Sequence, residues 1–277
     1  MSVLLNSKVN LNDGNEMPSI GLGTYSALGK EAVKAVTWAI EAGYRLIDTA
    51  TFYGNEKEIG DAIEKSLVNR SDLFVTSKVW QTDHGKIKPF AAIEKSLSLL
   101  KTDYLDLYLI HWPSPGTRLE TWKTLTKIVE KGLTKSIGVS NFTIEHLEEL
   151  KSVSGVIPAI NQIEFHPFQF ESELLEYCNE RSIVVQAHTP LVRCRKNEIP
   201  ELVRLEEKYG KTPAQILLRW CIQHGTIPLP KSSNKDRINE NIQIFDFEMD
   251  NGDMDLLNNI NDKYRVVEWN PNDIEWR

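Results

Sequence analysis

The sequence predicts a (β/α)₈ barrel, that is, a TIM barrel of eight parallel strands inside a ring of helices, preceded by a β-hairpin. Eight short apolar runs alternate with segments of helical period along the chain. The runs are apolar at nearly every position, which is typical of strands covered on both faces. The length of 277 residues suits one such barrel. We therefore expect a single domain over residues 1–277, with an open doubly wound sheet as the competing arrangement.

The predicted elements follow one another in a regular order. The hairpin is expected between Lys8 and Met17, with its turn at residues 12–15. The predicted strands are residues 20–23, 45–48, 73–78, 104–111, 135–140, 159–164, 183–188 and 226–230. The predicted helices are residues 30–42, 56–67, 89–100, 119–131, 144–153, 171–181 and 213–224. Because each helical connection returns the chain to the same end of the sheet, neighbouring strands should pair in parallel.

Polar side chains close nearly every predicted strand. They are Asp48, Lys78, His111, Ser140 with Asn141, Glu164 with His166, His188, and Lys231 with Ser232. In a barrel these strand ends meet on one face, where barrel enzymes carry their active sites. One polar residue at a strand end is ordinary, but this mixture of acids, bases and amides indicates a site at the barrel mouth.

Asp48, Tyr53, Lys78 and His111 form the candidate catalytic set. A lysine at the end of an apolar strand needs a partner, and Asp48 ends the neighbouring predicted strand. Tyr53 lies between them, just before Asn55, which together with Glu58 resembles a helix capping box. An ammonium beside Tyr53 favours the phenolate, so we expect Lys78 to lower the pKa of Tyr53. At this point a buried ion pair with a purely structural role remains the alternative.

The segment Gly21-Leu22-Gly23 imitates part of a dinucleotide-binding turn, with Asp48 at the distance expected for a ribose carboxylate. Ser26 stands where the third glycine of that motif belongs, and the preceding apolar stretch is short. We therefore interpret the two glycines as part of a tight turn at the barrel mouth.

Seven blocks of the sequence resemble those of the aldo-keto reductases. They are GTY at 23–25, LIDTATFYGNE at 46–56, TSKVW at 76–80, LDLYLIHWP at 105–113, IGVSNF at 137–142, NQIEFHP at 161–167 and IPLPKS at 227–232. The matches are in order and span roughly residues 18–248. The nearest likeness is to the shorter prokaryotic members that reduce aldehydes and keto-sugars.

The resemblance implies an NAD(P)H-dependent carbonyl reductase on a (β/α)₈ barrel. It assigns Tyr53 as the general acid, Lys78 and Asp48 as the residues that tune it, and His111 as the residue that orients the carbonyl. Phe52, Trp80 and Trp112, together with His111, would form the substrate pocket. The cofactor site would consist of Gly23, Thr24, Tyr25, Asp48, Ser140, Asn141, Gln162, His188, Pro190, Leu191, Lys231, Ser232, Ser233, Asn234, Arg237, Glu240 and Asn241.

The segment that begins at Lys231 decides which cofactor we expect. A lysine and hydroxyls at a helix start, with Arg237 one turn in, suit the 2′-phosphate of NADPH. A capped surface helix with ordinary basic residues is the alternative without the family context. Given the resemblance, we expect NADPH over NADH.

Two features depart from the family pattern. His188 stands where an aromatic ring usually stacks on the nicotinamide, so cofactor affinity is expected to be lower or to depend on pH. The tail of residues 265–277, with Trp269 and Trp276, lacks the usual glycine- and proline-containing ending.

Two other functions stay open from the residues alone. One is a cofactor-binding barrel with a regulatory or structural task. The other is a metal-dependent hydrolase that uses His111, Glu164, His166 and His188. The chain has neither an HxH nor an HExxH pair, so we expect no metal.

Composition bears on nucleic-acid binding, membrane insertion, secretion and the redox environment of the protein. Lys and Arg number 32 against 39 Asp and Glu, a net charge of −7, which gives nucleic-acid binding no support. No apolar run reaches the roughly 18 residues of a membrane span, and the first residues lack the features of a signal peptide. Cys178, Cys194 and Cys221 form no CxxC pair, which favours a reducing compartment. We expect a cytoplasmic monomer that acts on a small aldehyde or ketone.

Overall fold

The computed structural model describes residues 4–196 and 198–271, and these residues fold into the barrel that the sequence predicts. The eight barrel strands are β3 (Gly21–Gly23), β4 (Leu46–Asp48), β5 (Phe74–Val79), β6 (Leu105–Ile110), β7 (Thr134–Ser140), β8 (Ile160–Glu164), β9 (Val184–His188) and β10 (Ile227–Pro228). Each strand pairs in parallel with the next along the chain. The doubly wound alternative is therefore wrong. That residues 1–277 form one domain stays a prediction.

The barrel is closed by a narrow junction between its first and last strands. The backbone N–H of Gly23 donates to the carbonyl of Pro230 at 3.0 Å, and Gly23 forms a parallel bridge with Lys231. Both glycines of the GLG segment lie in β3, not in a turn, which corrects the interpretation from the sequence. A Cβ on Gly21 would lie 2.4 Å from Leu46 Cγ, and one on Gly23 would lie 2.9 Å from the carbonyl oxygen of Leu229. The glycines are needed because β3 packs so closely against its neighbours.

The predicted N-terminal hairpin is present as β1 (Lys8–Asn10) paired with β2 (Glu16–Pro18), and it covers the lower end of the barrel. Its Met17 is fully buried in the same apolar cluster as Leu46, Leu107 and Ile160, whose side chains fill the barrel interior. This cluster occupies the lower part of the barrel and leaves the polar side chains to the upper part. The hairpin therefore seals the end opposite the candidate site.

Helices surround the barrel in the expected order. They are α1 (Gly29–Ala42), α2 (Glu56–Glu64), α3 (Lys88–Leu100), α4 (Arg118–Glu130), α5 (Ile144–Ser154), α6 (Ser172–Glu180), α7 (Pro200–Tyr209), α8 (Pro213–Gln223), α9 (Lys235–Asn241) and α10 (Asn251–Asn258). The sequence analysis did not predict α7 and α10. Both bury few side chains, Leu202 and Leu205 in α7 for example, so few apolar residues mark either helix in the sequence. Across residues 4–196 and 198–271, no helix has the length and apolar character needed to cross a membrane.

Candidate active site

A cavity of about 770 Å³ opens at the carboxyl ends of the barrel strands. Most of the residues predicted from strand ends converge on it: Asp48, His111, Ser140, Asn141, His188 and Lys231 line its wall, and so does Gln162. Tyr53, from the loop after β4, lines it as well. Lys78 does not line the cavity; its side chain is fully buried directly behind Tyr53. The predicted catalytic set is thus brought together in two layers.

The ammonium of Lys78 has three N–H groups and meets three acceptors. Its Nζ lies 2.6 Å from Asp48 Oδ1, 2.9 Å from the carbonyl oxygen of Thr49 and 3.4 Å from the hydroxyl oxygen of Tyr53. Burial lowers the pKa of Lys78, while the charge and hydrogen bond of Asp48 oppose this. A saturated set of acceptors is what a buried ammonium requires. Lys78 therefore fixes the position of Tyr53 from behind.

The expectation that Lys78 lowers the pKa of Tyr53 is wrong for this structure. Burial raises the pKa of Tyr53 well above its usual value, and Asp48 and Tyr25 act in the same direction. The negative charge of Asp48 and the loss of solvent outweigh the ammonium at 3.4 Å. Tyr53 thus holds its proton throughout the neutral pH range. Since its oxygen accepts from Lys78, its own proton is left for a group in the cavity.

Asp48 joins two sides of the barrel. Its Oδ1 accepts from Lys78, and its Oδ2 accepts from Gln162 Nε2 at 2.8 Å. The same Nε2 donates to Gln186 Oε1 at 3.0 Å. Gln186 is a member of this buried polar layer that the sequence analysis missed. Its signal was a glutamine inside an apolar strand, two residues before His188.

His111 faces the cavity next to Tyr53, with the two ring centroids 5.6 Å apart. Burial, and after it the charge of Lys78, lower the pKa of His111 well below its usual value. Its Nδ1 is buried and has no hydrogen-bond partner within the part of the chain that the structure describes. His111 is therefore neutral and offers one N–H donor.

Asn141 and His188 form the opposite wall of the cavity. Asn141 Nδ2 donates to the carbonyl of His111 at 3.1 Å and to Ser140 Oγ at 3.0 Å, which identifies Oδ1 as the acceptor side of the amide. His188 Nε2 lies 2.9 Å from that Oδ1, so it carries the ring proton, and Nδ1 accepts from the Thr189 hydroxyl at 3.1 Å. Burial lowers the pKa of His188 to about 4. The ring is held as one neutral tautomer.

The comparison with known proteins agrees with this geometry. The family model for the aldo/keto reductase family matches residues 19–262, almost the whole chain. The chain belongs to the aldo/keto reductase family. It is therefore an NAD(P)H-dependent oxidoreductase, and the resemblance found in the sequence is confirmed.

Individual relatives cover nearly the full length. A glyoxal reductase of Bacillus subtilis is 45% identical over 267 residues, which are 96% of this chain and 97% of that protein. An aldo/keto reductase of Brucella melitensis has a crystal structure with a TM-score of 0.89 and 46% identity, covering 92% of this chain and 99% of that one. An aldo-keto reductase of Bombyx mori, solved in complex with NADP, has a TM-score of 0.89 and 39% identity over 96% of each chain.

The helix start after Asp48 differs from the predicted one. Asn55 does not cap α2 with its side chain. Instead its Oδ1 accepts from the Thr49 hydroxyl at 2.7 Å, and its Nδ2 donates to the carbonyls of Thr24 and Ala27, each at 2.9 Å. The fully buried amide of Asn55 thus fastens the Tyr53 loop to the loop after β3. The capping-box interpretation is wrong, and the residue supports the reductase site in another way.

The segment expected to bind the adenosine end of the cofactor lies at the outer end of the cleft. Lys231 lines the cavity, donates to Ser233 Oγ at 2.8 Å and lies 3.5 Å from Glu31. Asn234 caps α9 by accepting from the N–H of Arg237 at 3.0 Å.

The other residues predicted for this end differ in exposure. The side chain of Arg237 is exposed and has no hydrogen-bond or ion-pair partner among residues 4–196 and 198–271. Ser232 accepts from the N–H of Asn234, Glu240 accepts from Thr212, and Asn241 is buried. Their predicted contacts with a cofactor stay predictions.

Aromatic rings wall one side of the cavity. Phe52 stacks on Trp80 with the ring centroids 4.1 Å apart, and Trp112 lines the same wall. That these rings bind the substrate stays a prediction. Trp269 belongs to the C-terminal segment. Its ring centroid lies 6.0 Å from that of Trp80 and 5.6 Å from that of Trp112. Trp276, the other aromatic residue singled out in the tail, lies outside the described residues.

Sequence reasoning missed four cavity residues on the loop after β9: Thr189 and three residues further along. Arg193, Cys194 and Arg195 line the wall, and Arg193 lies over the ring of Tyr25. In this loop Val192 and Arg193 adopt the left-handed backbone conformation, with φ of 51° and 50°. A β-branched residue such as Val192 rarely adopts this conformation. The signal in the sequence was the basic run of residues 193–196, shortly after a strand end.

Glu164 and His166, considered above as metal ligands, contact each other and the C-terminal segment. His166 Nε2 lies 3.0 Å from Glu164 Oε1, and the same carboxylate accepts from backbone N–H groups of the C-terminal segment. Within the described ranges no group of three His, Cys, Asp or Glu side chains is placed to hold a metal ion.

Proposed function

We propose that the protein is a monomeric NADPH-dependent reductase that converts small aldehydes and ketones to alcohols, with Tyr53 as the proton donor. The observation that carries the proposal is the arrangement around Tyr53. Its oxygen accepts from Lys78, its pKa is raised by burial, and its proton faces a cavity that also holds a neutral imidazole.

The residues around the cavity suit the nicotinamide half of the cofactor. A carboxamide needs both hydrogen-bond donors and acceptors, and Ser140, Asn141 and Gln162 offer hydroxyl and amide groups on one wall. The neutral ring of His188 stands beside them, where it can stack on an aromatic face. Bound NADPH supplies the hydride. The protein binds and orients it and handles the proton.

Proton transfer is the task of Tyr53 and the groups behind it. As the carbonyl oxygen gains negative charge, Tyr53 transfers its phenolic proton to that oxygen, and the nearby Lys78 ammonium stabilises the phenolate that results. His111 orients the carbonyl by donating its single N–H. A phenol with a raised pKa stays protonated at neutral pH, as a proton donor must.

Positive side chains along the cleft support NADPH over NADH. Arg193, Arg195 and Lys231 line the cavity, where they suit the anionic linker of a dinucleotide. Arg237 lies beyond Lys231, on the first turn of α9. Its guanidinium is exposed and makes no ion pair with the residues that the structure describes, so it suits a 2′-phosphate, which NADH lacks.

Replacing Tyr53 with phenylalanine tests the proton donor. We expect Tyr53→Phe to lower kcat by about 10²–10⁴-fold, the usual contribution of a positioned general acid, and to leave the Kd of NADPH almost unchanged. Glyoxals are the first carbonyls to assay, because a close relative is a glyoxal reductase. The matched control is Tyr25→Phe, whose ring lies 5.1 Å from that of Tyr53 and also lines the cavity.

Two outcomes would contradict the proposal. If Tyr53→Phe keeps the kcat of the wild type, Tyr53 is not the acid. If the wild type binds NADPH but oxidises it with no glyoxal, aldose or keto-sugar, the barrel is a cofactor-binding protein without this activity.

A further inference from the structure

Glu164 ends β8 with a carboxylate that is almost fully buried and accepts three hydrogen bonds. Its Oε1 accepts from the backbone N–H of Val266 at 2.5 Å, and its Oε2 accepts from the N–H of Val267 at 3.2 Å. His166 Nε2 is the third donor, at 3.0 Å. Burial alone would raise the pKa of Glu164, but the hydrogen bond from His166 and the donated Val266 N–H hold it below its usual value. The carboxylate is charged at neutral pH.

The two backbone groups belong to the segment that walls the cavity. Val266, Val267 and Trp269 all line it. Trp269 follows Val267 by two residues, and its ring lies 6.2 Å from Phe52 and 5.6 Å from Trp112. The position of the Trp269 ring therefore depends on where the backbone at residues 266 and 267 is held.

Arg265 and Tyr264, just before this segment, also hold the chain. Arg265 reaches Glu171 at 3.4 Å, with 38% and 36% of the two side chains exposed, and such ion pairs contribute little. Tyr264 is fixed through its N–H to the carbonyl of Phe168, but it precedes the cavity wall. Glu164 accepts directly from the backbone of residues 266 and 267, and the side chain of Val266 packs in the main core.

We propose that Glu164 is a positioning residue that fixes the segment of residues 266–269 and thereby gives the reductase its grip on carbonyls that carry an aromatic or other large apolar group. The inference rests on the proposed function. Small carbonyls such as methylglyoxal bind next to Tyr53 and His111 and need no contact with Trp269. An aromatic aldehyde reaches the wall of Phe52, Trp80 and Trp269, and its binding depends on that wall.

A carboxylate suits this position better than an amide. Three N–H groups converge on Glu164, and an ionised carboxylate is a group of acceptors only. In Glu164→Gln one oxygen becomes an NH₂ group, which opposes a donor. The variant keeps the size of the side chain and removes part of the attachment.

The kinetic test compares a large and a small carbonyl. We expect Glu164→Gln to raise KM for 2-naphthaldehyde about tenfold with kcat nearly unchanged, because a weakened charge-assisted hydrogen bond is worth about that factor. KM for methylglyoxal and the Kd of NADPH should stay within about twofold of the wild type. Glu171→Gln is the matched control, because it makes the same change at the exposed ion pair with Arg265, just before this segment.

A double variant ties the effect to Trp269. Trp269→Ala should raise KM for 2-naphthaldehyde as Glu164→Gln does, and adding Glu164→Gln to Trp269→Ala should change it no further. Independent additive effects would overturn the proposal. So would a Glu164→Gln variant that loses activity equally with both carbonyls, since that result indicates a general defect.

Limited proteolysis tests the attachment without any assay of activity. Trypsin cuts after Lys263 and Arg265, and we expect faster cleavage there in Glu164→Gln than in Glu171→Gln or the wild type. Equal cleavage rates would overturn the proposal even if the enzyme is active. If the wild type reduces no carbonyl while cleavage still differs, the proposed function fails and the attachment stands.

Discussion

The two ends of the cleft use similar charged residues in opposite ways. At the inner end Lys78 is fully buried, Asp48 is 3% exposed, and each N–H of the ammonium has an acceptor. At the outer end Lys231 and Glu31 lie 3.5 Å apart with 37% and 53% of their side chains exposed, and Arg237 is exposed as well. Buried charges depend on one another, because removing one leaves its partner without compensation. Exposed charges are screened and act almost independently.

The largest expected effect follows from removing Lys78. Lys78→Met leaves the buried carboxylate of Asp48 without its cation, and breaking such a pair costs about 3–5 kcal/mol of unfolding free energy. Tyr53 also loses the ammonium that donates to its oxygen, so kcat should fall by about 10²-fold or more. Urea unfolding and steady-state assays measure the two effects.

A second substitution separates stability from catalysis at the inner end. In Asp48→Leu/Lys78→Met no buried charge is left unpaired, so much of the unfolding free energy should return while kcat stays low. If the double variant is as unstable as Lys78→Met, the ion pair stabilises the fold by more than neutralising its own two buried charges. That result would contradict the contrast between the two ends.

At the inner end, the sequence predicted where the side chains lie but not the direction in which the pKa of Tyr53 shifts. Apolar runs place Asp48, Lys78 and His111 at the ends of parallel strands, and the barrel then brings them together without further information. The sign of the pKa shift at Tyr53 depends on solvent exclusion and on Asp48 in three dimensions, so the neighbouring lysine misled the prediction. Alternation of apolar runs likewise revealed the barrel but not α7 and α10, which bury few side chains.

Contacts distant in sequence escaped prediction. Glu164 holds the backbone of Val266, 102 residues later, and a backbone donor leaves no signal in the residue type that carries it. Asn55 has the right residue type and spacing for a helix cap, yet its amide bonds to loops on the other side. In both cases the partner is a backbone group, which the side-chain pattern does not encode.

A smaller effect is expected at the outer end. Arg237→Ala should raise KM for NADPH by about three- to tenfold and leave KM for NADH unchanged, because a surface charge-assisted contact to one phosphate is worth about 1 kcal/mol. The difference should shrink as salt rises, since the guanidinium is exposed. Unfolding free energy should not change. An equal loss with both cofactors would mean that Arg237 does not bind the 2′-phosphate.

The smallest effect concerns His188, which lies between the two ends. Its pKa of about 4 keeps the ring neutral at and above roughly pH 5, and protonation below that removes Nδ1 as the acceptor for Thr189. The lowered pKa means that the folded state gains stability from the neutral ring above about pH 6.5 and loses it as pH falls through about 4.

The affinity for the cofactor should therefore not change through protonation of His188 near neutral pH. This is contrary to the pH dependence that the sequence suggested. We expect the ratio of the NADPH Kd values of His188→Phe and the wild type to vary less than about twofold between about pH 6 and 8, measured by fluorescence titration. Using the ratio cancels the titration of the cofactor's own phosphate, which affects both proteins alike. A ratio that changes with a midpoint near pH 6.5 would place His188 among the exposed groups of the outer end. A constant ratio places it with the buried groups that hold one protonation state.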